Sequence, residues 1–395
     1  MQLKVAIIIE RANIVLGGAE RSVLELAHTL ETSGLKVDII AARGQATATN
    51  VHILFEGDPR KRTCYFAFAK ALKKFLDENH YDIVHSVLPF GFADIYQPRG
   101  GTYAESVVRN AASYDNKFIT AYKKATAFAN YRRSILLRAE KKLCKDPDGP
   151  TIVALSQYVA KQFEQHYGLD SSRVTVISNG VKPHGPIDSR EIDQLRTQIT
   201  AKLNIKQTDQ PVFFLFAANN FRLKGLAALI RAMALAGREQ TSQAAYLLIA
   251  GRAAADKYQR LARELGIDKR IFFFGDLSHI QNALAAADIA VLPTFYDPSS
   301  RFILEALLAK KPVITTKFNG ASDMFVNDRH GKVIESPGNI SQLAEAINYF
   351  TDTNKIQKAS QAIVDDNLDE NVSIDRVAKQ LISLYNSVNK ASESG

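Results

Sequence analysis

Only two cysteines, Cys64 and Cys144, occur in 395 residues, so the chain has no disulfide framework and no cysteine pair at metal-ligand spacing. No apolar run approaches the length that spans a bilayer, which argues against a transmembrane protein. The opening Met1-Gln2-Leu3-Lys4-Val5-Ala6-Ile7-Ile8-Ile9 is followed at once by Glu10 and Arg11. A secretory signal would carry a longer apolar stretch ending at small residues, so this segment reads as a first core strand and a cytoplasmic location is expected. Nothing resembles a Walker A loop or a Ser-His-Asp set, and the Gly-x-Gly-x-x-Gly pattern that would favour a nicotinamide enzyme is missing. His85 and His184 are each isolated from metal-type partners, so the structural reading of both is preferred over a catalytic one. No internal repeat is evident.

What is present describes a globular protein of two parts. A chain of 395 residues exceeds one ordinary core, and 46% hydrophobic residues is usual for such a protein. Residues 4–9 and 37–41 read as buried strands, and between them Ala19, Val23, Leu24, Ala27 and Leu30 recur at helical spacing. Gly34 stands where the end of that helix needs a left-handed residue. Further strands are expected at 83–84, 152–155 and 174–177. After a polar stretch, 182–210, the pattern restarts at 212–216, 246–250, 271–274, 289–292 and 313–315. Alternating strands and helices imply parallel sheets covered on both faces. The expected architecture is α/β, with two doubly wound domains at 1–185 and 186–372 facing a cleft. A last helix at 373–395 could return to the first domain.

Ligands of such sheets gather outside the carboxyl ends of the strands, which makes the loops after them the candidate sites. The segment Asp297-Pro298-Ser299-Ser300-Arg301-Phe302-Ile303-Leu304-Glu305 follows one strand and precedes another. Eight positions do not return to one helical face, so Asp297 is placed in the loop and Glu305 one turn into the helix. Such acids can hold two parts of one polar ligand. Gly17-Gly18-Ala19-Glu20-Arg21 lies between the first strand and its helix, where open amides favour an anion, although a Gly-Gly turn also serves as a plain connection. Asn219-Asn220-Phe221-Arg222-Leu223-Lys224-Gly225 offers a bidentate and a point cation at another strand end, against the alternative of a solvated basic loop. Thr316-Lys317-Phe318-Asn319-Gly320 follows a further strand; it could surround a phosphate or sugar, or form an ordinary turn.

The net charge of +9 calls for anionic partners. The excess concentrates between Glu105 and Asp146, where Arg109, Lys117, Lys123, Lys124, Arg132, Arg133, Arg138, Lys141, Lys142 and Lys145 meet few acids. Interleaved Phe118, Ile119, Tyr122, Phe128 and Tyr131 fit a helical surface on anionic lipid, while core packing beneath a wet basic face is the alternative. Nucleic acid is not expected, because no binding module accompanies the patch.

Taken in order along nearly the whole chain, Gly17-Gly18-Ala19-Glu20-Arg21, Tyr103-Ala104-Glu105, Ser178-Asn179-Gly180-Val181, 221–225 and Asn319-Gly320 resemble the retaining GT-B glycosyltransferases of family 4. Within that family the lipopolysaccharide core glucosyltransferases are most similar. The resemblance implies two Rossmann-like domains and transfer of a hexose, with retention, from a nucleoside-diphosphate donor, UDP-linked, to a membrane glycolipid. Such an enzyme would need neither metal nor cofactor and would lie peripherally on the inner face of the membrane. By the same resemblance Glu305 binds the ribose and Asp297 the donor sugar. Arg222 and Lys224 hold the diphosphate, helped by the amides of Gly17 and Gly18. Ser299, Ser300 and Arg301 also fall in the donor site. A sugar phosphorylase, a nucleotide-sugar epimerase or an inactive binding relative would share the fold.

Three departures stand out. The family's usual first acid is Glu, whereas Asp297 is one methylene shorter. Pro298 and Ser300 replace frequent glycines. Gln97-Pro98-Arg99 occupies the stretch where relatives carry His or Asp, which leaves Arg99 to bind a phosphate there and unable to act as a base.

Overall fold

A computed structural model describes residues 2–13, 17–46, 48–114, 116–126, 130–183, 185, 187–206, 209–237, 244–277 and 279–393. Leu16, Asp115, Phe128, His184 and Pro186 lie outside them, as do the side chains of Lys117 and Lys124. The chain divides into two compact units, one of residues 1–111, 115–182 and 374–395, the other of 112–114 and 183–373.

The first unit runs β1 (Lys4–Ala12), α1 (Gly18–Thr32), β2 (Lys36–Gly44), β3 (Val51–Ile53), α2 (Tyr65–Glu78), β4 (Ile83–Ser86) and β5 (Ile95–Tyr96). It continues with α3 (Tyr103–Ala112), α4 (Lys117–Ala125), α5 (Tyr131–Lys145), β6 (Thr151–Ala154), α6 (Gln157–Tyr167) and β7 (Val174–Val176). Among the described residues these strands form one parallel sheet in the order β3-β2-β1-β4-β5-β6-β7. The period of two divides β1 between two cores. Val5, Ile7 and Ile9 pack with Leu26 and Leu30 of α1, while Ala6 and Ile8 pack with Phe68 and Leu72 of α2. The α1 helix closes as its glycine suggests, with Gly34 at φ 98 just beyond the end.

The second unit runs α7 (Ser189–Lys202), β8 (Val212–Ala217), α8 (Leu226–Ala236), β9 (Ala245–Ala250), α9 (Asp256–Glu264), β10 (Ile271–Gly275), α10 (Ile280–Ala286) and β11 (Ile289–Leu292). Then follow α11 (Arg301–Leu308), β12 (Val313–Thr316), β13 (Gly331–Ile334), α12 (Ile340–Tyr349), α13 (Thr353–Asp365) and α14 (Leu368–Asn371). Its parallel sheet has the order β10-β9-β8-β11-β12-β13. The final helix, α15 (Ile374–Glu393), belongs to the first unit, where Val377, Leu381 and Tyr385 join the α1 side of the core.

The basic stretch is three helices of different character. On α4, Phe118 is 86% exposed and Tyr122 63%. On α5, by contrast, Leu136 and Leu143 are core residues and Glu140 is fully buried. Glu140 accepts hydrogen bonds from Tyr96 Oη (2.8 Å), Tyr167 Oη and the Tyr103 amide (2.8 Å). Burial outweighs these three donors and pushes its carboxyl up to about 7 from an ordinary 4.5. A folded-state value above the unfolded one means stability is fully present below pH 4.5 and is lost as pH rises through about 7. Between pH 5 and 8, wild type should therefore lose up to roughly 3 kcal/mol relative to Glu140→Gln, measured by denaturant unfolding. A difference that stays constant with pH would count against this.

Candidate active site

In a doubly wound sheet the crevice forms where strand order reverses. In the second unit that point lies between β8 and β11. The loops leaving these strands are stitched together: Phe295 N donates to Leu223 O (2.9 Å) and Thr294 Oγ1 to the same carbonyl (3.2 Å). Gly225 permits the approach, because its φ is 80 and an added Cβ would lie 2.0 Å from Pro293 O. The β11 loop is held in turn by the β12 loop. Asp297 N donates to Phe318 O (2.9 Å), and Gly320 N donates to Asp297 O (2.8 Å). Buried Asn319 accepts from Ser300 N (3.3 Å) and Ala321 N (3.1 Å) through Oδ1 and donates to Thr315 Oγ1 (2.9 Å).

This scaffold brings most of the expected residues of the second unit together. Lys224 Nζ lies 2.5 Å from Asp297 Oδ2 and donates also to Tyr296 O (3.0 Å). Both side chains of this ion pair are largely withdrawn from solvent. Asp297 sits in the loop, where its Oδ1 accepts from Ser299 N (3.3 Å), and Ser300 stands at the N-cap position of α11. Glu305 sits just beyond the first turn of α11, 8% exposed, with Arg301 Nη2 3.2 Å from its Oε1. A cavity of about 470 Å³ adjoins it, lined also by Ile187, Gln281, Leu284, Leu308 and Lys311. Arg222 shares the β8 loop but turns elsewhere: it donates to Ser113 Oγ and stacks 3.9 Å from the centroid of Tyr114.

The same edge carries a pair that pattern reading passed over. Arg252 follows β9, Asp276 follows β10, and Arg252 Nε lies 3.0 Å from both carboxylate oxygens. Their position directly after two strands was the available signal. Each is a single charged residue at a loop start, with no pattern around it.

In the first unit Gly17 caps α1 with extended backbone, φ 165, and no side chain caps that helix, so a ligand can approach its first amides from Gly18 onward. Arg99, after β5, donates to Gln97 Oε1 (3.0 Å) and to Ser22 Oγ (2.7 Å) in the second turn of the same helix. Arg99 is thus tied to α1 one turn beyond the Gly17-Gly18 corner. His85 is buried on β4, with Nδ1 2.6 Å from Tyr385 Oη. Burial, helped by the charge of Arg99, holds its imidazole down at about 3, so it packs as a neutral residue, in line with the structural reading of its sequence context. Among the described residues, no group of three or more His, Cys, Asp or Glu is placed to hold a metal ion, and no helix is long and apolar enough to cross a membrane.

Residues 197–363 match the family profile "Glycosyl transferases group 1", and residues 16–184 match "Glycosyltransferase Family 4". The chain belongs to the family 4 glycosyltransferases. It transfers a sugar from a nucleotide-sugar. Among curated relatives, the lipopolysaccharide glucosyltransferase WaaG of Escherichia coli is 23% identical over 337 residues, covering 84% of this chain and 85% of the relative. The crystal structure of WaaG, a glycosyltransferase of lipopolysaccharide biosynthesis, superposes with a TM-score of 0.74 at 19% identity, covering 96% of this chain and 99% of that one. Anabaena HepE in complex with UDP-glucose gives a TM-score of 0.70 at 17% identity, covering 98% and 100%. The transferase has the GT-B fold, as the motifs led one to expect.

Proposed function

We propose that this transferase moves glucose, with retention, from UDP-glucose to a membrane glycolipid of the lipopolysaccharide-core type. The observation that carries the reading is the Lys224–Asp297 pair beside Arg301–Glu305 at the β8/β11 reversal. A donor with a diphosphate, a ribose and a hexose presents the anion and the hydroxyls that these four side chains can divide among themselves. Glu305 accepts from the ribose hydroxyls and Asp297 from the sugar. Lys224, with Arg301 on the neighbouring helix, neutralises charge growing on the departing diphosphate, which removes the need for a metal. Within the first unit, the start of α1 at Gly17 and Gly18 offers amides suited to an anion. Donor identity is supported by the UDP-glucose complex of HepE, and the acceptor class by WaaG. The exposed Phe118, Ile119 and Tyr122 of α4 suit contact with an anionic membrane face.

Screening nucleotide-sugars by thermal shift should single out UDP-glucose, since ligand bound to the native state raises apparent stability. With lipopolysaccharide-core acceptor in vesicles, UDP release should rise with anionic lipid content and fall with salt, and the product anomer should match that of the donor. Stabilisation by another nucleotide-sugar alone would reassign the donor. UDP release unaffected by any glycolipid would remove the acceptor class.

A further inference from the structure

The first unit carries a cavity of about 560 Å³ between the start of α2, the loop at 89–92 and α5, within the size range of small-molecule sites. None of its lining residues belongs to the donor constellation. Aromatic rings run in a row along it. Phe66 lies 5.5 Å from Tyr65, Tyr65 5.0 Å from Phe90, and Phe90 5.2 Å from Phe92, between ring centroids. The two ends of the row open to solvent, with Phe66 59% and Phe92 39% exposed. Phenylalanine has no polar tip to hydrate, so this exposure leaves apolar surface uncovered at both ends of a concave site.

The α5 wall supplies charge. Arg138 and Lys142 are four positions apart, both exposed and both lining the cavity. Neither has an ion-pair partner among the described residues. Arg132 on the same helix differs, being fixed by Thr63 O (2.6 Å) and the Glu10 carboxylate (2.5 Å). Asp146 is the acid at the far end of the lining, and its Oδ1 accepts from the Asp148 amide (3.2 Å). An aromatic trough with two uncompensated cations on one wall complements a molecule that is apolar along its length and anionic at its head. A peptide or a sugar would need more polar side chains than this lining offers.

We propose that this groove binds one hydrocarbon chain of an anionic amphiphile. The chain lies along Tyr65, Phe66, Phe92 and Ile135, and the headgroup meets Arg138 and Lys142. This goes beyond the donor reading and does not depend on it, because the binding needs no nucleotide-sugar.

The chain contains no tryptophan, so Phe66→Trp installs a sole indole at one end of the groove, and Phe92→Trp does the same at the other. Dodecyl phosphate, kept monomeric and without any nucleotide-sugar, should cause a saturable blue shift, and its chain-brominated form should quench the indole. Dodecyl maltoside and inorganic phosphate each hold half of that chemistry and should need at least tenfold higher concentration. Adding Arg138→Gln and Lys142→Gln should weaken dodecyl phosphate by about tenfold or more, because both cations that face the anionic headgroup are gone. Ala139→Phe, which fills the groove, should abolish the response. The proposal is overturned if both reporters, confirmed folded by circular dichroism, show no saturable change. An equal response to dodecyl maltoside, or one that survives Ala139→Phe, would also overturn it.

Discussion

Replacing Lys224 by alanine should cut turnover with UDP-glucose by about 10²–10³-fold, the usual loss for one preorganised charge-stabilising group. It should also destabilise the protein, for a reason separate from catalysis. Lys224 Nζ lies 2.5 Å from Asp297 Oδ2 in a pair withdrawn from water. Removing the cation leaves a largely buried carboxylate without its counter-charge, which typically costs about 3–5 kcal/mol when burial is complete and less where, as here, solvent still reaches the site. The two effects separate in a second variant. Lys224→Ala combined with Asp297→Asn removes both charges, so the denaturation midpoint should recover while turnover does not. If turnover of the folded single variant stays within tenfold of wild type, Lys224 has no place in leaving-group stabilisation. If the double variant regains activity along with stability, the lysine acts only by holding Asp297.

The pairing also bears on how a donor would be received. Lys224 and Asp297 neutralise each other, and the Tyr296 carbonyl takes a further bond from the ammonium. A diphosphate arriving beside Lys224 would compete for that cation and free Asp297 to accept from a sugar hydroxyl.

Much of the fold was legible because its strands are long enough to repeat a pattern. Residues 5–9 and 212–216 are continuous apolar runs, and both became central strands buried on two faces. The strands missed were β3, β5 and β13, with three, two and four residues. Two or three residues carry no readable period, and β13 opens on Gly331, whose added Cβ would lie 2.2 Å from Val313 O. Close backbone approach selects a glycine there, and that glycine hides the strand from propensity. At the site, spacing placed Asp297 in a loop and Glu305 on a helix, as found. What spacing could not supply was direction. Nothing in the sequence of residues 219–225 distinguishes Lys224, aimed at Asp297, from Arg222, stacked on Tyr114. The basic stretch likewise hid a division between exposed Phe118 on α4 and core Leu136 on α5, because a charged helix can bury one face and wet the other.

Glu305→Gln should raise the KM for UDP-glucose and lower kcat/KM by roughly 10²-fold or more, because a site built to accept hydroxyl hydrogen bonds discriminates strongly when one is lost. Glutamine keeps the volume of a side chain that is only 8% exposed, so the fold should survive. It loses the charge that holds Arg301 at 3.2 Å and replaces one acceptor oxygen by a donor. A fall in activity alone would not say which part of the donor Glu305 touches, but a cycle with an altered substrate does. Wild type given the 2′,3′-dideoxy analogue of UDP-glucose should lose about as much kcat/KM as Glu305→Gln loses with the natural donor. The variant should then be nearly indifferent to the same deletion, since the partner of those hydroxyls has already gone. Full additivity of the two losses would place Glu305 away from the ribose. The cavity beside α11 would then be the next place to look for its ligand, because Glu305 lines that cavity too.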